Sequence, residues 1–389
     1  MPEDGDIENL IKIMDKHLSI TELDISQNIF SSEYASKLIS GLKKQKSLKT
    51  LNVSFSCGLD SSIASMRDLL STSIPLSRII LKRVFLTWGG FCELGKALLR
   101  HPNLEYLDIS CNPIMTDPRE SHTREHISRH DNEVNNQSSP QRSTLSNSEQ
   151  AKKESFKLSV THLNMSSAEL NPSFDFNRIL QWENLVSLSV GDNLLGDDGA
   201  ILIAQALKLY QPGLEMLDLR SNGITQKGCD EIASLLESSR CMKTLIMSEN
   251  PLGTGDGDSA LRLSEALSGN KALCHLEIAN CKLSFRQLEL IVGSFSYNSS
   301  LTYVDISFNN LTSSENEAGG KRYVISFDNM THLAYINLSG EQMISDTETR
   351  ERMISQWKEL HKRDYIENNL YAPFYTFVLA RDTQHRNVN

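Results

Sequence analysis

The chain has 389 residues, of which 39% are hydrophobic and 23% charged, and it carries a formal net charge of −10. That balance suits a water-soluble globular protein and weighs against nonspecific attraction to nucleic acid or to an anionic membrane. No run of apolar residues is long enough to span a bilayer, and residues 1–10 lack the basic and apolar regions of a secretory leader.

Taken in order, Ile7, Leu10, Ile11, Met14 and Leu18 fall at helical spacing. This predicts a helix ahead of the first strand, either an N-terminal cap or the second half of a missing unit. A strand is expected at 20–28, ITELDISQN, with a returning helix through Tyr34, Leu38 and Leu42. The next strand begins at Leu48, followed by an amphipathic segment through Met66, Leu69 and Leu70. A third, LSRIILKRV at 76–84, offers Val84 where its neighbours place Asn. A fourth, LEYLDISCN, occupies 104–112.

Residues 117–155 then change texture, with few apolar side chains and many Ser, Asn, Gln, Glu, Arg and His. Such a segment cannot bury enough to offset its ordering entropy, so it reads as a disordered insertion. The strand pattern resumes at Val160, with Ala168 in the Asn position, and continues through phrases starting at Leu185, Leu214, Met242, Leu273, Leu301 and Leu333. Gly199 and Gly228 are placed at helix starts, with Ile203 and Leu207, or Ile232 and Leu236, facing inward. A helix through Met353, Ile354, Trp357 and Leu360 follows, and then an aromatic, strand-like tail at 371–380. The tail is expected to cap the open end of the core, with docking onto another protein as the alternative. The resulting division is 1–116, 117–155, 156–345 and 346–389.

Between 185 and 309 the phrase L-x-x-L-x-L-x-x-N/C returns five times at a spacing of about 28 residues. Each phrase is a short strand with an apolar inner side that one unit alone cannot bury, so stacking is obligatory. The terminal Asn or Cys is expected to point inward and bond to backbone in the turn. These residues, and LDLRSNGITQKGCDEIASLL at 217–236 above all, resemble ribonuclease-inhibitor-type leucine-rich repeats. The resemblance implies an α/β horseshoe solenoid, with a parallel sheet on the concave side and helices on the convex side. It implies no single activity, because RanGAP-type GTPase activators, tropomodulins, CARMIL proteins and nucleotide-sensing receptors share the architecture.

Alternation along each strand turns the third, fifth and seventh residues of a phrase toward the concave solvent. The fifth position forms a column of Asp24, Asn52, Asp108, Asn164, Asp218, Glu277, Asp305 and Asn337. The third contributes Tyr106, His275, Tyr303 and Tyr335. An acidic, tyrosine-bearing inner wall suits a protein partner with a basic surface. The same Asp and Asn are also ordinary for this repeat type. The third phrase stands apart, with Arg78, Ile80, Lys82, Arg83, Phe85 and Trp88. It is either a local docking point or apolar filling for a poorly formed turn.

No cofactor is implied. His122, His126 and His130 have helical spacing, but their polar surroundings argue against a helix and so against a metal site. The Gly253–Asp258 run lacks the residues of a phosphate-binding or calcium loop and reads as a turn, with Asp256 or Asp258 capping the next helix. Scattered cysteines without a C-x-x-C pair indicate structural thiols in a reducing compartment. The expected function is a non-enzymatic cytoplasmic scaffold or regulator of signalling or the actin cytoskeleton. One alternative is a GTPase activator of RanGAP type, for which Arg220 is the nearest arginine. The other is a substrate-recognition subunit of a ubiquitin ligase or an immune-type sensor.

Overall fold

The computed structural model describes residues 4–28, 32–55, 63–98, 101–114, 159–180, 182, 184–254, 259–310, 329–340, 347–360, 365–366 and 378–381. The insertion at 117–155 with its three histidines, Asp256 and Asp258, and residues 371–377 of the tail lie outside them.

Every phrase forms a three-residue strand: β1 Glu22–Asp24, β2 Thr50–Asn52, β3 Arg78–Ile80, β4 Tyr106–Asp108, β5 His162–Asn164, β6 Ser187–Ser189, β7 Met216–Asp218, β8 Thr244–Ile246, β9 His275–Glu277, β10 Tyr303–Asp305 and β11 Tyr335–Asn337. All are parallel and lie in chain order in one open sheet. Equivalent phrase positions align across it, so Asp24 faces Asn52 at one end and Asp305 faces Asn337 at the other. Strand β4 pairs directly with β5 across the insertion, Asp108 opposite Asn164. From Leu51 to Ile336 the central residue of each strand is buried, which joins the units into one continuous apolar core.

Helices return the chain on the other side: α1 Asp4–Lys16, α2 Ser32–Leu42, α3 Ile63–Leu70, α4 Trp88–Leu98, α5 Asn177–Leu180, α6 Gly196–Tyr210, α7 Gln226–Ser238, α8 Ser259–Gly269, α9 Phe285–Phe295 and α10 Thr347–Leu360. Ile203, Leu207, Ile232 and Leu236 are buried against the sheet, as their spacing requires. Helix α9 opens on a reciprocal cap, Ser284 Oγ taking the Gln287 N–H while Gln287 Oε1 takes the Ser284 N–H. Helix α5 is a single turn. Phe174 and Phe176, packed edge to face at 4.8 Å, fill that unit together with buried Trp182.

From Asn112 onward, the Asn that ends a phrase stitches neighbouring units. Asn112 donates to the carbonyls of Leu81 (2.7 Å) and Ile109 (2.8 Å), and its oxygen accepts from the N–H groups of Val84 and Leu86. Asn193, Asn222, Asn250 and Asn309 repeat the pattern, and Cys281 places its thiol 3.4 Å from the Met247 carbonyl. Val84 and Ala168, which stand at this position in two other phrases, are buried, and their N–H groups are taken by the Asn of the following unit.

Every described eighth position of these phrases, from Gln27 to Phe308, has φ between 48° and 61°, and the last phrase has Gly340 at 157°. This left-handed residue turns the chain inward so that the ninth side chain reaches the core. Only Asn280 and Asp192 among the first ten are residue types that favour it, so the turn is imposed by stacking.

Both ends of the stack are covered. Met14 on α1 is fully buried, and its carbonyl accepts from Gln45 Nε2 at 2.7 Å. At the other end Met353 and Trp357 of α10 are buried. The edge of β11 is taken by an antiparallel strand, β13 Val378–Arg381, itself paired with β12 Tyr365–Ile366.

Candidate protein-binding face

The fifth-position column has a local task. Asp24, Asn52, Asp108, Asn164, Asp218, Asp305 and Asn337 each accept the backbone N–H of the seventh residue of their own phrase. That side-chain turn starts the bend at the strand end. The Ser26 bonds, followed by one from Asn52, hold Asp24 below the ordinary carboxylate range.

Two acids expected to face solvent do not. Asp218 is 0% and Asp108 4% exposed. Asp218 is covered by Arg220, whose Nη2 lies 2.6 Å from Oδ2, and by Ser189 Oγ at 3.0 Å. Asp108 sits beneath Ser110, Asn164 and the Tyr106 hydroxyl. In both cases the inward curvature brings neighbouring polar side chains over the carboxylate. Arg220 is correspondingly engaged, because Nε and Nη2 both donate to Asp218. An arginine finger would first have to give up these bonds to Asp218.

The remaining residues converge at the C-terminal end of the sheet. The His275 ring stacks on Tyr303 at 4.0 Å, and Tyr303 stacks nearly parallel on Tyr335 at 4.3 Å. Glu277 accepts from His275 Nε2 at 2.7 Å and, unlike its column mates, makes no turn bond of the kind above. Asp305 accepts from Asn337 Nδ2 at 2.8 Å. Burial pushes the Tyr303 phenol up, reinforced by Tyr335, Asp305 and Glu277, and burial also raises Tyr335. Both hydroxyls therefore remain protonated donors at neutral pH. The result is a rigid shelf of three rings, edged by two carboxylates and partly open to solvent.

Alternation along the strands reveals neither the ring-on-ring stacking nor the extra aromatic at this pole, Phe308. That side chain is 53% exposed at an eighth position with φ 56°. The signal available for it was the repeat itself, since every eighth residue is turned out of the strand. In the third phrase Val84 is buried as turn filling, whereas Phe85 is 53% exposed and fills nothing. Tyr106 lies 3.7 Å beneath the Arg78 guanidinium, at the opposite pole from the three-ring shelf. Among the described residues no His, Cys, Asp and Glu cluster is arranged to hold a metal ion, and no helix is long and apolar enough to cross a membrane.

The Leucine Rich repeat family model matches residues 100–118, 183–204, 214–233 and 297–314. Human NACHT, LRR and PYD domains-containing protein 14 is 32% identical over 134 residues, 34% of this chain and 12% of that protein. The Mus musculus protein of the same name is 27% identical over 283 residues, covering 71% of this chain and 25% of its own length. NACHT, LRR and PYD domains-containing protein 3 of Macaca mulatta is 32% identical over 139 residues, 36% of this chain and 13% of that protein. The chain thus spans a quarter or less of the length of these relatives. Among solved structures, an internalin from Listeria monocytogenes aligns over 88% of this chain and 96% of its own at 14% identity, with a TM-score of 0.43. Repeated phrase, in-register parallel sheet and matched segments together make this chain a leucine-rich-repeat solenoid.

Proposed function

We propose that the chain is a non-enzymatic protein-binding module that grips a basic segment of its partner with the His275–Tyr303–Tyr335 shelf. The single observation that supports this reading is the stack itself, three rings packed face against face with Glu277 and Asp305 at their edge. Rings already ordered by stacking lose little entropy on binding, and the adjoining carboxylates select for Lys or Arg. Tyr335 and Glu277 complete the shelf, Asp24 lies at the far end of the same column, and Asp108 and Asp218 act as the struts beneath it. Arg220 holds Asp218 rather than meeting the partner. Helices of 11 to 15 residues in the regular units support a ribonuclease-inhibitor-type repeat. The buried thiols of Cys229 and Cys281 suit a reducing, cytoplasmic setting.

The test is affinity capture with the intact chain, followed by binding of the captured partner to purified variants. Tyr303→Ala and Asp305→Ala together are expected to weaken binding by about 2 kcal/mol or more, roughly 30-fold. Lys227→Ala on the helical side is expected to leave it unchanged. Full affinity in the Tyr303/Asp305 variant ends this reading.

A second reading is favoured by the likeness to NACHT, LRR and PYD domains-containing proteins: the module is the recognition part of a signalling sensor. In that role the nucleotide-binding portion would come from elsewhere, and its presence among captured partners separates the two.

A further inference from the structure

At the opposite end of the concave wall the third phrase builds a surface of different character. Arg78, Lys82 and Arg83 lie within one unit, at its third, seventh and eighth positions. Among the described residues none of the three has a carboxylate in ion-pair reach, although the chain as a whole carries a net charge of −10. The fifth position here is Ile80 rather than an acid, and it is flanked in the ladder by neutral Asn52 and buried Asp108. The Arg78 guanidinium rests 3.7 Å above the Tyr106 ring, which fixes its direction, and His162 lies on from Tyr106 at 6.4 Å.

Two exposed aromatic residues belong to the same region, Phe85 two positions after Arg83 and Phe55 at the preceding turn. Phe55 is 44% and Phe85 53% exposed, and both are carried on left-handed residues, with φ of 56° and 60°. The Phe55 N–H donates to the Lys82 carbonyl at 2.7 Å, which seats Phe55 next to the Lys82–Arg83 turn. Exposed apolar side chains and cations without an ion pair among the described residues thus share one unit and its neighbour's turn.

We propose that this patch is a docking site for a short acidic segment of a partner protein that also carries a bulky apolar residue. Its carboxylates pair with Arg78, Lys82 and Arg83, and its apolar side chain packs on Phe55 and Phe85. Charge complementarity selects this occupant over a nucleic acid. The cationic patch is short, and a polyanion extended beyond it meets exposed Glu105 and the Glu22–Asp24 end of the sheet. The Tyr106 face is already covered by Arg78, so it offers no stacking platform for a base. The site is independent of the His275–Tyr303–Tyr335 shelf, and its partner segment has the opposite charge.

Fluorescence anisotropy with the intact chain tests it. The probes are a labelled peptide of about a dozen residues alternating Glu with Leu and Phe, its Lys-for-Glu counterpart, and an oligothymidine of similar length. The acidic peptide is expected to bind, and more weakly as salt rises. Arg78→Glu with Arg83→Glu should reduce its affinity at least about tenfold. Phe85→Ser, at a half-exposed position, should reduce it several-fold, while Lys227→Glu and Tyr303→Ala should not move it. Absence of acidic-peptide binding overturns the proposal, as does equal loss in Lys227→Glu. Tighter binding of the oligothymidine, abolished by the same Arg substitutions, overturns it in favour of a nucleic-acid site.

Discussion

A buried carboxamide at a strand end explains why Asn recurs in these phrases. Asn250 accepts from the Asn222 and Ile224 N–H groups and donates to the Leu219 and Met247 carbonyls. Asn250→Ala strands buried backbone groups in two units, and each costs about 1–3 kcal/mol. Asn28, at the start of the stack, donates among the described residues only to Ile25 and Ser26 in its own phrase and is less buried. Asn250→Ala is therefore expected to lower the denaturation midpoint much more than Asn28→Ala, measured by urea unfolding. Equal effects would show that the stitching contributes nothing. Thiols give a second test at this scale. Burial raises Cys229, and raises Cys281 from 9.0 to about 12, whereas Cys241 is exposed. At pH 8 a thiol reagent should label Cys241 rapidly and reach Cys229 and Cys281 only after unfolding. Both folded values lie above the unfolded one, so their contribution to stability is complete below pH 9.0 and declines as pH rises toward 12.

Between elements close approach requires glycine. A Cβ on Gly228 would lie 2.6 Å from Ile224 Cγ2 in its own unit and 2.7 Å from Asp197 Oδ1 on the preceding helix. Asp197 belongs to α6, yet it accepts from Thr225 and Gly228 at the start of α7 and so caps the neighbouring unit's helix. Gly228→Ala should destabilise by about 1–3 kcal/mol, while Gly213→Ala, with open space around it, should be neutral. Calorimetry on the pair decides the matter. The sequence places Gly228 at a helix start, but half of the reason is not legible there, because one of the two crowding groups, Asp197, comes from 31 residues away. Strands and helix faces were legible because periodicity reports which side of an element is buried. The single turn α5 was not, since Phe174 and Phe176 fill by packing what the repeat elsewhere fills with helix. Asp108 and Asp218 escaped for a related reason. Alternation says which way a side chain leaves the strand, but not whether a neighbouring strand's side chain will close over it.

At the scale of the whole molecule, the units are coupled only to their neighbours, so stability is set by a series of interfaces rather than by one core. Helices α6 to α9 pack side by side in an unbroken row and share long buried faces. Before them stands α5, a single turn, and before that the strand pair β4–β5 is joined through the 117–155 stretch. Among the described residues the interface around α5 has the least helix-to-helix packing, and it is where cooperativity should break. We expect urea unfolding to show two transitions. Leu51→Ala in β2 should shift one, and Leu217→Ala in β7 the other, each by about 2–5 kcal/mol. Hydrogen exchange read by segment would assign them, with β6 to β10 opening together. A single transition that both substitutions move equally would mean that the sheet transmits enough coupling across β5 to hold the two halves as one unit. The acidic shelf and the basic patch lie on opposite sides of that weak point. If the halves open separately, the distance between the two binding surfaces is adjustable, and a partner bearing a basic and an acidic segment could engage both without matching one rigid spacing.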